Sequence, residues 1–219
     1  VTAAEKTVIT PGEAVAVAVI CFGYFALRSL QAVFGGFPSD PFTDESLVGV
    51  AFWEVLAGAL AIAFLHARGF ALASLLPRPS PTGCAIGIVL YFAATLGSAL
   101  LQLPFSAGMP AQPILQMLAG SHLSLPAIAL TAVVNGAFEE IFLLGVLTNG
   151  LRGYGLAVAF GVPSLVRVLC HAYQGPLGVL SILVVGGVLG GYYLRTTRLW
   201  PPVLAHMLLD IAAFAALRA

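Results

Sequence analysis

The chain has 219 residues, 60% of them hydrophobic and only 8% charged, with a formal net charge of zero. A soluble globular domain carries about 25% charged residues, so this composition excludes one and indicates an all-α integral membrane protein with little mass outside the bilayer. Zero net charge also leaves no basic footprint for nucleic acid.

Thr10-Pro-Gly-Glu13 reads as a helix start, with Thr as cap, Pro at the first position and Glu completing a capping box. The first span is expected over about residues 12–33, followed by a Gly/Pro/Asp-rich connection over 34–46. The second covers about 47–66 and contains Glu54 beside Trp53; Glu54 has no motif partner and reads as structural. Residues 67–80 leave the membrane, and Ser80-Pro81 starts a third span over about 81–103. The stretch 104–125 is uncharged but rich in Pro, Gly and Ser; Ile114, Leu115 and Leu118 have the spacing of a short interfacial helix.

The fourth span, about 126–150, carries Glu139 and Glu140, and the fifth, about 154–174, carries Arg167 and His171. The sixth, about 177–194, contains Gly186, Gly187, Gly190 and Gly191, two overlapping small-xxx-small pairs that permit close helix packing. The seventh, about 199–217, carries His206 and Asp210. The expected fold is therefore about seven transmembrane helices around an intramembrane polar cavity, in one membrane domain over 1–219. Cys21, Cys84 and Cys170 all lie in apolar runs and read as buried thiols, not a disulfide framework. No cleavable signal is evident, and the chain opens at Val1 without a methionine, which suggests a natural start further upstream.

Charge agrees with this count. With seven alternating spans, Lys6, Arg68, Arg78, Arg152, Arg195 and Arg198 fall on one side, and the opposite connections contain no Lys or Arg. The positive-inside rule then places the N-terminus in the cytoplasm. Arg28 and Arg218 are exceptions near span ends, where long side chains snorkel.

An ionised carboxylate in hydrocarbon costs several kcal/mol, so Glu139 and Glu140 must face a protein interior or a wet cavity and find partners there. Neighbours on a helix differ by about 100° in direction; one of the two is expected to face a reaction centre while the other pairs elsewhere. Arg167 and His171 share a face, as do His206 and Asp210.

In this order, EEIFLLG at 139–145, RVLCH at 167–171 and HMLLD at 206–210 resemble the CAAX protease and bacteriocin-processing (CPBP, or Abi) family. The flanks HAYQGPLG at 171–178 and GYYLRTTRLWPPVLAH at 191–206 are similar too, so the likeness covers about residues 126–215. The resemblance implies a glutamic-type intramembrane peptidase needing no cofactor and acting on a membrane-bound peptide or protein, in the plasma membrane of a prokaryote. It implies Glu139 as the base that activates water, His171 as the group that orients or shares that water, and His206 with Asp210 as stabilisers of the oxyanion. Two positions depart from the family pattern: Leu144 stands where it has Arg, and Arg167 where it has Phe. Arg167 is expected to supply the lost guanidinium across the helix interface and to pair with Glu140. Asn is frequent at the position of Asp210; an ionised Asp would repel an oxyanion, so Asp210 must be protonated or orient His206.

Two other functions compete. Two Glu, two His and an Asp are acceptable zinc ligands, although no His-Glu-x-x-His spacing exists. Intramembrane acids and imidazoles also build proton relays, so a proton-coupled transporter or a partner-binding pseudo-peptidase is the alternative of another class.

Overall fold

A computed structural model describes residues 6–37, 40–107 and 112–215, and it is helical almost throughout. Eight α-helices follow in chain order: α1 (Pro11–Phe34), α2 (Asp44–Ala67), α3 (Pro81–Ser106), α4 (Pro113–Ala119), α5 (Leu125–Glu140), α6 (Leu156–His171), α7 (Pro176–Thr196) and α8 (Trp200–Ala215). Beyond Glu140, α5 runs on without a break as a π-helix, Ile141–Thr148. Counting this continuation, six helices among the described residues are long and apolar enough to cross a membrane, and α8 is a shorter apolar seventh. The chain is thus an integral membrane protein with about seven spans. The expected end of the last span at 217 and the snorkelling Arg218 lie outside the described residues.

The helix starts follow from local chemistry. Thr10 Oγ1 accepts from the Glu13 amide at 3.2 Å while Glu13 returns a bond to the Thr10 amide at 2.9 Å. Ser80 Oγ accepts from the Gly83 amide at 3.0 Å. Glu13 also holds Lys6 at 2.7 Å and Arg68 at 2.8 Å, tying the N-terminal segment to the end of α2. That segment is stitched further by Lys6 to Gly69 and by Ile9 to Gly150 through main-chain bonds. Lys6, Arg68 and Arg152 therefore gather at one end of the bundle, where Arg152 donates to the carbonyls of Tyr193 and Leu194. Arg78 and Arg198 line one surface recess at the starts of α3 and α8. At the opposite end Asp44 accepts from the Ser124 amide and Gln112 from the Leu177 amide.

The α5–π helix is the axis of the bundle. In its apolar window 61% of residues are buried, against 11–33% for the other five long helices. It packs on α2 and α8, α1 packs on α6, and α7 lies against α3 and α6. Large apolar side chains on the outer faces, among them Val19, Phe52, Val89, Phe92, Leu103 and Leu165, remain exposed as a lipid-facing surface requires. Two glycines set the critical spacings. A Cβ at Gly136 would stand 2.9 Å from the main-chain nitrogen of Met207, so α8 approaches α5 only because this position is bare. Gly190 presses on the Phe160 ring in the same way, at 3.3 Å, and Gly186 lies along the Arg167 side chain. Gly187 meets nothing, so the close-packing face of α7 is the Gly186–Gly190 pair alone. Cys21 and Cys170 are buried and free; Cys84 is only half-buried and accepts the Trp200 indole N–H at 3.3 Å.

Candidate active site

Glu139 and Glu140 end α5 at the point where the helix widens, and both are buried, Glu140 completely. Arg167 comes from α6 and reaches both: Nη2 lies 2.6 Å from Glu140 Oε1 and Nη1 3.3 Å from Glu139 Oε2. One planar guanidinium thus spans two carboxylates, a geometry its rigid fork provides and an ammonium does not. The expected divergence of the two acids is corrected here. Their directions differ at Cα, but two flexible side chains converge on a shared cation, and one oxygen of each lies within 4.8 Å of the other and of a His206 nitrogen.

His206 enters on α8, against the Gly136 surface. Its Nδ1 is 2.6 Å from Glu140 Oε1, the same oxygen that Arg167 contacts. Its Nε2 faces Asn135 Nδ2 at 3.4 Å and Asp210 Oδ1 at 3.7 Å. Asn135 in turn donates to Asp210 Oδ2 at 2.8 Å. With Nδ1–H donating to Glu140, Nε2 of a neutral ring is an acceptor, and it donates only from the imidazolium.

His171 closes α6. Its Nδ1 lies 2.8 Å from the Arg167 carbonyl one turn earlier, which fixes the proton there and leaves Nε2 turned toward Glu139 Oε1 at 3.6 Å. The Tyr173 ring stacks beside it, centroids 6.4 Å apart. The helix stops at His171 and tightens into a 3₁₀ turn, Ala172–Gln174, so the end of α6 falls at the depth of Glu139. Access is graded. Side-chain exposure is zero at Glu140, 8% at Glu139, 14% at His171 and 17% at Asp210, so the site opens on the His171–Asp210 side.

All six residues singled out from sequence therefore meet in one place. Two more belong to it by position. Asn135 sits one turn before Glu139, and its spacing in the Asn-Gly-Ala-Phe-Glu run was the available signal. Glu54 on α2 is buried and close enough to interact electrostatically with Glu139, Asp210 and His206. No sequence pattern connects it to them.

Chemically the cluster offers buried carboxylates, two imidazoles and a guanidinium. Glu139, Glu140 and His206 have the spacing of a three-ligand metal site. Glu140 Oε1, however, is already shared by Arg167 and His206, and a fixed cation stands where a second cation would enter.

Such a cluster, held in the middle of a lipid-facing helical bundle, defines a polytopic membrane protein with a buried acid–base centre. Residues 120–212 match the family model for type II CAAX prenyl endopeptidase Rce1-like proteins. Over this segment, less than half of the chain, it is similar to the CAAX prenyl endopeptidases, a family of membrane proteases. No curated protein and no solved structure matches the chain.

Proposed function

We propose that the chain is an intramembrane endopeptidase that hydrolyses a peptide bond with a water molecule activated by Glu139. The observation that carries this reading is the 3.6 Å approach of Glu139 Oε1 to His171 Nε2, with the imidazole fixed at its other nitrogen. Two acceptors at that separation share a water readily. A carboxylate withdrawn from bulk water is a competent general base. Glu139 takes the proton, the oxygen attacks the scissile carbonyl, and the same proton passes to the departing amine. His206, donating from Nε2 as an imidazolium, and the second N–H of Asn135 stabilise the oxyanion; Asp210 holds Asn135 in place. Glu140 does not enter the chemistry. Its one bonded oxygen is occupied by Arg167 and His206, and it anchors both.

The substrate is a membrane-associated peptide or protein, and the family description points to a prenylated C-terminus. No metal is required in this scheme. We place the basic end of the bundle in the cytoplasm. The test is hydrolysis of an internally quenched peptide ending in farnesyl-Cys-aliphatic-aliphatic-X by protein in liposomes. Glu139→Gln is expected to lower kcat at least about 10²-fold with an unchanged fold. Full activity in that variant would remove Glu139 from the reaction.

A further inference from the structure

Six buried residues of α2, Leu47, Ala51, Glu54, Gly58, Ala61 and Leu65, form one stripe. Two contacts fix how that stripe lies on α5. The Leu47 carbonyl accepts from Thr131 Oγ1 at 3.2 Å, and a Cβ at Gly58 would touch the rings of Phe142 and Phe138 at 3.4 and 3.5 Å. The two helices run parallel between these points. Glu54 lies between them, level with Asn135–Phe138 and so beside the catalytic cluster.

Its situation differs from that of every other acid there. Glu139 has Arg167 and His171 within 4 Å, Glu140 has Arg167 and His206, and Asp210 has Asn135 and His206. Glu54 is only 3% exposed; its Oε2, like Glu139 Oε2 and Glu140 Oε2, has no hydrogen-bond partner, but unlike those acids it has no ion pair within 4 Å either among the described residues. A buried carboxyl oxygen without a donor is a standing penalty. The anchoring acid Glu140 keeps at least one oxygen paired, whereas Glu54 has no paired oxygen among the described residues. An oxygen kept bare at the edge of a hydrolytic centre is explained by a donor that arrives with the substrate, and an extended peptide carries such donors in its main-chain N–H groups.

Resting on the peptidase reading above, we infer that Glu54 is a substrate-anchoring residue whose carboxyl accepts a main-chain N–H of the bound peptide beside the scissile bond. It holds the peptide equally in the ground and transition states of attack by the Glu139-activated water, and takes no part in proton transfer.

The experiment uses the full chain in liposomes with two probes. Turnover is read with the quenched farnesylated peptide. Binding is read with its uncleavable reduced-bond analogue on protein carrying Glu139→Gln. Adding Glu54→Leu is expected to weaken analogue binding by about 10- to 100-fold; in the otherwise unsubstituted protein it raises KM while kcat stays within about threefold. Glu54→Gln keeps an acceptor oxygen and is expected to bind within about threefold of the parent. Thermal unfolding of Glu54→Leu is expected at or above the parent temperature, because an unpaired buried acid has gone. Unchanged analogue binding in Glu54→Leu overturns the inference and leaves the peptidase intact; so does a lower unfolding temperature with a parallel loss of kcat, the mark of a structural acid. Analogue binding that depends on Glu54 in a protein without turnover supports the anchoring role and refutes the peptidase. Absence of both binding and turnover in the parent counts against both.

Discussion

Replacing Arg167 with Leu removes the one side chain that, among the described residues, pairs with both glutamates. At an effective dielectric of about 20, a unit pair at the observed 2.6 Å attracts by about 6 kcal/mol and one at 3.3 Å by about 5 kcal/mol. Most of that is offset by the desolvation of three buried charges. What experiment sees is the stranding of Glu140, fully buried with only His206 left to it. Breaking a buried pair from one side costs about 3–5 kcal/mol, and that loss is expected for Arg167→Leu by reversible unfolding in bicelles. Arg167→Lys restores charge but not the fork, and should forfeit one charge-assisted bond, about 1.5–3 kcal/mol. Leu144 and Arg167 line the same small void with Gly186 and Gly190. A guanidinium delivered from position 144 therefore enters the same space, and Arg167→Leu combined with Leu144→Arg should recover both stability and turnover relative to Arg167→Leu alone. A loss below about 1 kcal/mol in Arg167→Leu, or a double variant no better than either single one, refutes the bridging role.

Gly136→Ala should push α8 from α5, since its Cβ would meet the Met207 nitrogen at 2.9 Å. The His206–Glu140 contact lengthens, and turnover is expected to fall about 10- to 100-fold while the helical content seen by circular dichroism is kept. Asp210→Asn retains an acceptor for Asn135 and should hold kcat within about threefold, whereas Asp210→Ala loses it and should fall at least about tenfold; equal rates in the two would dismiss the Asn135 contact. Chelation should leave turnover unchanged, and a loss reversed by added zinc would reinstate a metal among Glu139, Glu140 and His206.

Much of the architecture could be read from local chemistry. Thr10 and Ser80 announce their helices by cap geometry that depends only on residues three positions away. Span number follows from the length of apolar runs. The contact between Arg167 and Glu140 is implied by the resemblance, which has Arg where Leu144 stands, and not by local chemistry. Other features carry no local mark. Ile141–Thr148 is apolar apart from Gly145 and Thr148, with no Pro or charged residue to betray the wide turns, and Thr148 Oγ1, bonded to the Leu143 carbonyl five residues back, records them. The shared grip on Glu139 and Glu140 was hidden by reasoning from Cα directions alone, which ignores the reach of three-torsion side chains. Glu54 was missed because its neighbours come from α5 and α8, 80 or more residues away in sequence. Such proximity is decided by which helices pack, and periodicity does not encode it.

The double contact on Glu140 also has a meaning in time. Its two partners are encoded 27 and 66 residues downstream. At ribosomal rates of about 5–20 residues per second, Arg167 emerges about 1–5 s after the acid, and His206 about 3–13 s after it. For those seconds the newborn α5 holds a carboxylate with no mate. Until α6 arrives that acid must stay near the headgroups or carry a proton, so a nascent chain halted before α6 is expected to hold α5 less firmly in the bilayer than one that includes Arg167, as alkali extraction of the stalled chains would read.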